Sequence, residues 1–106
     1  MVNSIVTLIP KLIKGKKYRL TFHAEIERDN DQITIREIEE SLSSSLIEII
    51  EDYPNDPRGH SSLVLSFTKD TKPIHCVCAI TQGIVLLITI YRPDPEQWIN
   101  WRKRKE

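Results

Sequence analysis

The chain predicts an α+β fold, with N-terminal helices packed on one face of a four-stranded, mainly antiparallel sheet and a short C-terminal helix. Two observations carry this. Apolar residues recur at helical spacing in the first part of the chain, and four β-rich runs follow it. Short turn sequences, Lys69-Asp70-Thr71-Lys72 and Gln82-Gly83, separate the last three runs as in hairpins.

Each element has a local reason. Ile5, Leu8, Ile9, Leu12 and Ile13 form the stripe of a first helix, with Asn3 or Ser4 able to cap it and Gly15 able to end it. Pro10 removes a donor inside that helix and is expected to kink or split it. Tyr18 to Phe22 is a short extended piece. Thr21 can cap a helix running to about Asp29. Thr34 with Glu37 makes a capping box for the next helix, whose stripe is Ile35, Ile38 and Leu42, and Ser43-Ser44-Ser45 ends it.

The four strand-like runs are Leu46 to Tyr53, Ser62 to Thr68, Pro73 to Thr81 and Ile84 to Tyr91. The last is apolar on both faces and reads as a central strand. Pro54 to His60 is a loop by composition. Glu96 to Arg104 is expected to form the short C-terminal helix, with Trp98 and Trp101 on one face.

The 106 residues suit a single domain, 1–106, with a helix and basic segment in 1–17, a core in 18–98 and a basic tail in 99–106. No apolar run approaches the roughly 18 residues of a membrane span, and the start lacks the pattern of a signal peptide. The expectation is a cytoplasmic protein without membrane contact. Cys76 and Cys78 lie inside an apolar run and read as reduced core thiols. No metal-ligand spacing accompanies them, and no cofactor motif is present: the three glycines are isolated, and no Gly-x-Ser-x-Gly elbow occurs.

The formal net charge of zero hides a segregation. Residues 1–24 carry five Lys/Arg and no acid, whereas residues 25–56 carry eleven acids and two Arg. Such asymmetry accompanies nucleic-acid surfaces and also ordinary solvated faces. The three histidines are the side chains that titrate near neutrality. Metal-independent RNA cleavage needs a base, an acid and fixed positive charge for the phosphate. His23 and His75, with His60 as alternate, are the acid/base candidates, and Tyr91 can position or donate a proton. Arg58 and Arg92, with Lys16, Lys17 and Arg19, are the phosphate or RNA candidates. An even-length turn at Gln82-Gly83 places Ile90 opposite His75, and an odd-length one places Thr89 or Tyr91 there. Trp98 and Trp101 read as core cover, with base stacking as the functional alternative.

The ordered series Thr21-Phe22-His23-Ala24, Ile33-Thr34-Ile35-Arg36-Glu37-Ile38-Glu39-Glu40, Ile49-Ile50-Glu51-Asp52-Tyr53-Pro54, Leu63-Val64-Leu65, Pro73-Ile74-His75-Cys76-Val77 and Ile88-Thr89-Ile90-Tyr91-Arg92-Pro93-Asp94 resembles a prokaryotic domain-of-unknown-function family grouped with RelE/ParE-type toxins. The resemblance spans residues 18–98. It implies a RelE-like fold and the toxin half of a toxin–antitoxin pair, often beside a small zinc-finger-type antitoxin. His23, His75, Thr89 and Tyr91 fall on the family's recurrent positions. This chain has Glu27 where many relatives carry Arg, and Asp31-Gln32 where they carry Arg-Gly. The expectation is a toxin-like ribonuclease, with a non-catalytic protein-interaction domain as the alternative.

Overall fold

The structure is a computed structural model that describes residues 2–106, with side chains from residue 5 onward. Helices α1 (Val2–Lys14), α2 (Phe22–Asn30) and α3 (Ile35–Leu42) precede most of the strands. The strands are β1 (Tyr18–Leu20), β2 (Glu48–Tyr53), β3 (Ser61–Phe67), β4 (Pro73–Thr81), β5 (Ile84–Tyr91), β6 (Trp98–Ile99) and β7 (Lys103–Arg104). Among the described residues no helix is long and apolar enough to cross a membrane.

Pro10 does not split α1. Packing of Ile9 and Ile13, 0% and 1% exposed, holds the helix across the missing donor. The helix ends as expected at Gly15, but the left-handed residue is Lys16, at φ 60°. Lys16 N–H donates to the Ile13 carbonyl and Lys17 N–H to that of Leu12 (2.8 Å), a Schellman closure. The capping side chains expected at Asn3 or Ser4 lie outside the described residues.

The caps of the other two helices are as expected. Thr21 Oγ1 accepts from Ala24 N at 3.1 Å. Thr34 and Glu37 form the reciprocal capping box, and Ser43 is the C-cap.

The sheet has five strands rather than four, in the order β1-β5-β4-β3-β2. The short extended piece Tyr18–Leu20 adds to the outer edge of β5 and runs parallel to it. The other pairings are antiparallel. Ile74, Cys76 and Cys78 of β4 join Val85, Leu87 and Ile90 of β5 in one cluster with Ile9, Ala24, Ile38 and Leu42. That face is therefore the helix-covered one. By alternation His75 and Tyr91 point to the other face. The two thiols are free and buried, their sulfurs 3.6 Å apart.

Two features depart from local expectation. The turn at Gln82-Gly83 has two residues, both left-handed (φ 51° and 78°), as a type I′ hairpin requires. Even so, His75 faces Tyr91 rather than Ile90. The cause is a bulge: Val77 pairs with Thr89 but Cys78 with Leu87, leaving Ile88 unpaired. The Thr21 hydroxyl donates to the Ile88 carbonyl at 2.9 Å, so the cap of α2 also fastens the bulge.

The second departure is at the end of the chain. The helix expected over Glu96 to Arg104 is instead a hairpin, β6–β7. Asn100 and Trp101 both take left-handed φ (53° and 64°) and turn the chain back. Distant partners favour that reversal: Arg102 reaches Glu48 and Arg104 reaches Glu51. Burial of Trp98, 5% exposed, adds the larger contribution, and a short tail helix is marginal by itself.

Candidate functional site

The β6–β7 hairpin lies against the sheet face opposite the helices, and His75 is beneath it. Its burial is complete, at 0% exposure. Nε2 lies 2.7 Å from the Trp101 carbonyl oxygen, which can only accept, so that nitrogen carries the proton. Nδ1 is then an acceptor, and Tyr91 O–H donates to it at 3.1 Å. Trp98 meets the imidazole edge-on at 4.5 Å between ring centroids, and Tyr91 does so at 5.3 Å.

Burial lowers the pKa of His75 below its ordinary 6.5, opposed by the hydrogen bond to Trp101 and the field of Glu51. Burial likewise pushes the Tyr91 phenol up to about 12. The pair is therefore a neutral imidazole holding a neutral phenol by its proton.

Three further groups complete the cluster. Glu51 and Tyr53 share the His75 face, because they pair with Leu63 and Ser61 of β3. Glu51 accepts from Tyr53 O–H, and from Arg104 through Nε at 2.7 Å and Nη2 at 3.0 Å. The Arg104 hydrogen bond holds this carboxyl below its usual range. Arg104 in turn lies over the Trp98 ring, 4.7 Å from its centroid.

The structure brings together His75 and Tyr91 from the candidates read in the sequence. The others lie elsewhere. His23 is at the start of α2, largely exposed, with Nε2 3.3 Å from Glu27 Oε1. Since α2 packs on the opposite face, His23 does not meet the His75–Tyr91 pair across the sheet. His60 lies 2.7 Å from Asp52. Arg58 makes a fork with Asp56 at 3.0 and 3.1 Å. Arg92 is a clamp on the α2–α3 connection and Glu37. Lys16 pairs with Glu39 at 2.6 Å, whereas Lys17 and Arg19 are exposed and, among the described residues, make no ion pair. Among the described residues no group of three His, Cys, Asp or Glu side chains is placed to hold a metal.

Glu51, Tyr53, Trp98 and Arg104 were not among the site candidates. The available signal was the same-face spacing of Glu51 and Tyr53, together with an acidic strand and a basic tail of matching charge. Glu27 and Asp31 also have a visible task. Beyond the end of β1 they accept the edge N–H groups of β5, from Ile90 at 3.0 Å and Arg92 at 2.8 Å.

Residues 20–92, more than half of the chain, match the model of a family described as Domain of unknown function (DUF4258). The chain belongs to that family. The match runs from Leu20, the last residue of β1, through β5 and contains His75, Tyr91, Glu51 and Tyr53, while the DUF4258 region ends before the hairpin that supplies Trp98 and Arg104. No curated protein and no solved structure matches the chain significantly.

The His75 environment sets a pH dependence. Because its folded pKa is depressed, the unfolded chain takes up the proton first as pH falls through 6.5. Stability from this group is present above that value and is lost below it, down to the folded pKa. Urea midpoints measured between about pH 5.5 and 7.5 should therefore fall toward acid, and His75→Gln should flatten that limb. Equal slopes in the two proteins would contradict the assignment.

Proposed function

We propose that this face is the acid–base site of a toxin-like endoribonuclease with a RelE-like fold, acting without a metal. The observation that carries the reading is the hydrogen bond from Tyr91 O–H to a buried, neutral His75 whose other nitrogen is anchored on a backbone carbonyl. A 2′-hydroxyl meeting Tyr91 would pass its proton to the phenolic oxygen while the phenol proton moves to His75 Nδ1. Glu51 offsets the imidazolium that results. The oxygen freed by attack on phosphorus takes a proton from water. In this reading the protein works in the cytoplasm beside a small zinc-finger-type antitoxin, and its substrate is RNA.

A second reading has its own observation. Arg58, Arg92 and Lys16, three of the five cations first associated with phosphate, each hold a carboxylate. This favours a non-catalytic protein-interaction domain. RNA cleavage assays separate the two. Tyr91→Phe and His75→Gln should each lower cleavage about a hundredfold while the fold persists by circular dichroism. Wild-type protein that cleaves no RNA at any concentration removes the enzyme reading and leaves the interaction domain.

A further inference from the structure

The RNA-cleavage reading leaves the phosphate grip unassigned, because Arg58 and Arg92 are committed elsewhere. Arg58 is tied to Asp56 in its own loop, and Asp56 is held further by Ser61. Arg92 binds two backbone carbonyls as well as Glu37. Arg58 is exposed, but its partner Asp56 is only 7% exposed and also accepts from Ser61 and the Arg58 N–H, so that carboxylate is the harder one to displace.

The C-terminal hairpin presents two guanidinium groups in a different situation. Arg102 meets Glu48 through Nε at 2.8 Å and Nη2 at 2.6 Å. Arg104 meets Glu51 in the same two-pronged way. This is the geometry with which arginine takes the paired oxygens of a carboxylate or a phosphate. Arg102 is 38% and Arg104 62% exposed at the side chain, so an incoming anion reaches both with the hairpin in place. Arg104 rests on Trp98, which keeps its plane aimed when its partner leaves. Arg104 also lies close enough to influence the titration of both His75 and Tyr91.

We propose that Arg102 and Arg104 are the phosphate-binding groups of this site, and that Glu48 and Glu51 occupy their forks until single-stranded RNA displaces them. The inference rests on the proposed ribonuclease function and supplies its substrate contacts. These pairs are bidentate but partly exposed, and ion pairs at a surface contribute at most about 1 kcal/mol each. A polyanion that also releases counterions on contact can therefore replace them. Lys103 and Lys105, exposed in the same segment and without an ion pair among the described residues, add to the local charge. Displacement would also free the Glu51 carboxylate beside Tyr91 and His75.

The test uses the full chain and a fluorescent 2′-O-methyl oligouridylate, which has no nucleophile and reports binding alone. Anisotropy titrations should show Arg104→Ala and Arg102→Ala weakening binding by about tenfold or more, each lowering the salt slope by about one. Glu51→Gln and Glu48→Gln should tighten binding by about threefold, because each removes an internal competitor. Glu25→Gln, the same charge change on α2, controls for net charge. Equal tightening by Glu25→Gln overturns the proposal, as do unchanged affinities in the arginine variants or a wild-type protein that fails to bind the probe. A dependence on Lys17 and Arg19 instead of Arg102 and Arg104 also overturns it. Loss of cleavage in Tyr91→Phe with binding intact addresses the chemistry separately, so the two readings fail in different experiments.

Discussion

Replacing Trp98 with alanine is expected to lower the unfolding free energy by about 3–5 kcal/mol. Trp98 is 5% exposed and is the side chain that seats the hairpin on the sheet. Its ring meets His75 edge-on and carries Arg104 on its face, so truncation removes an aromatic contact, a cation–π contact and a large buried area together. The hairpin has strands of only two residues and cannot hold its place by backbone pairing. Water would then reach His75, and its pKa would return toward 6.5. Urea unfolding measures the first effect, and NMR titration of the imidazole measures the second. A loss below about 1 kcal/mol with an unmoved titration would show that the hairpin is seated by its arginines instead.

Replacing Arg92 with alanine should cost about 2–3 kcal/mol. Nε donates to the Asp31 carbonyl at 3.0 Å, and Nη2 donates to the Gln32 carbonyl and to both oxygens of Glu37 at 2.9 and 3.0 Å. Alanine leaves two carbonyls and a partly buried carboxylate without those donors. Burial alone would raise the Glu37 pKa, and the Thr34 N–H and Arg92 together pull it below the ordinary value. That carboxyl should therefore titrate higher in the variant. The loss is kept to the lower end because Arg92 Nη1 is itself buried without a partner, a penalty that alanine removes. Arg92→Lys should recover only part of the stability, since an ammonium does not span the same acceptors. Thermal unfolding and carboxyl NMR together check the clamp. An unshifted Glu37 would place the stabilisation elsewhere.

The candidate site was half legible before the structure. His75 and Tyr91 stood out as a titratable group and a phenol on neighbouring strands, but their contact depended on register. Turn length alone pairs His75 with Ile90. The bulge at Ile88 moves Tyr91 into that place, and the Thr21 hydroxyl fastening it comes from sixty-seven residues away. Glu51 looked like one carboxylate in a solvated acidic stretch, because its partner Arg104 is fifty-three residues distant. Arg58 and Arg92 looked like free forks for the converse reason: a guanidinium in a sequence does not show which oxygen it will take.

Short-range chemistry was determined by the sequence alone. Thr21 and the Thr34–Glu37 box start their helices through hydrogen bonds that span three residues, and alternation assigns the faces of β4, although the bulge breaks it in β5. The tertiary structure decided what long-range partners control. It recruited Tyr18–Leu20 as a fifth strand because the edge of β5 offered it backbone partners. It folded the tail into a hairpin because Trp98 buries against His75, whose Nε2–H donates to the Trp101 carbonyl, with the arginine pairs to Glu48 and Glu51 adding to this. Local propensity amounts to a few tenths of a kcal/mol per residue. A buried tryptophan outweighs it, with the two ion pairs adding a smaller share, and those contacts exist only once the sheet has formed.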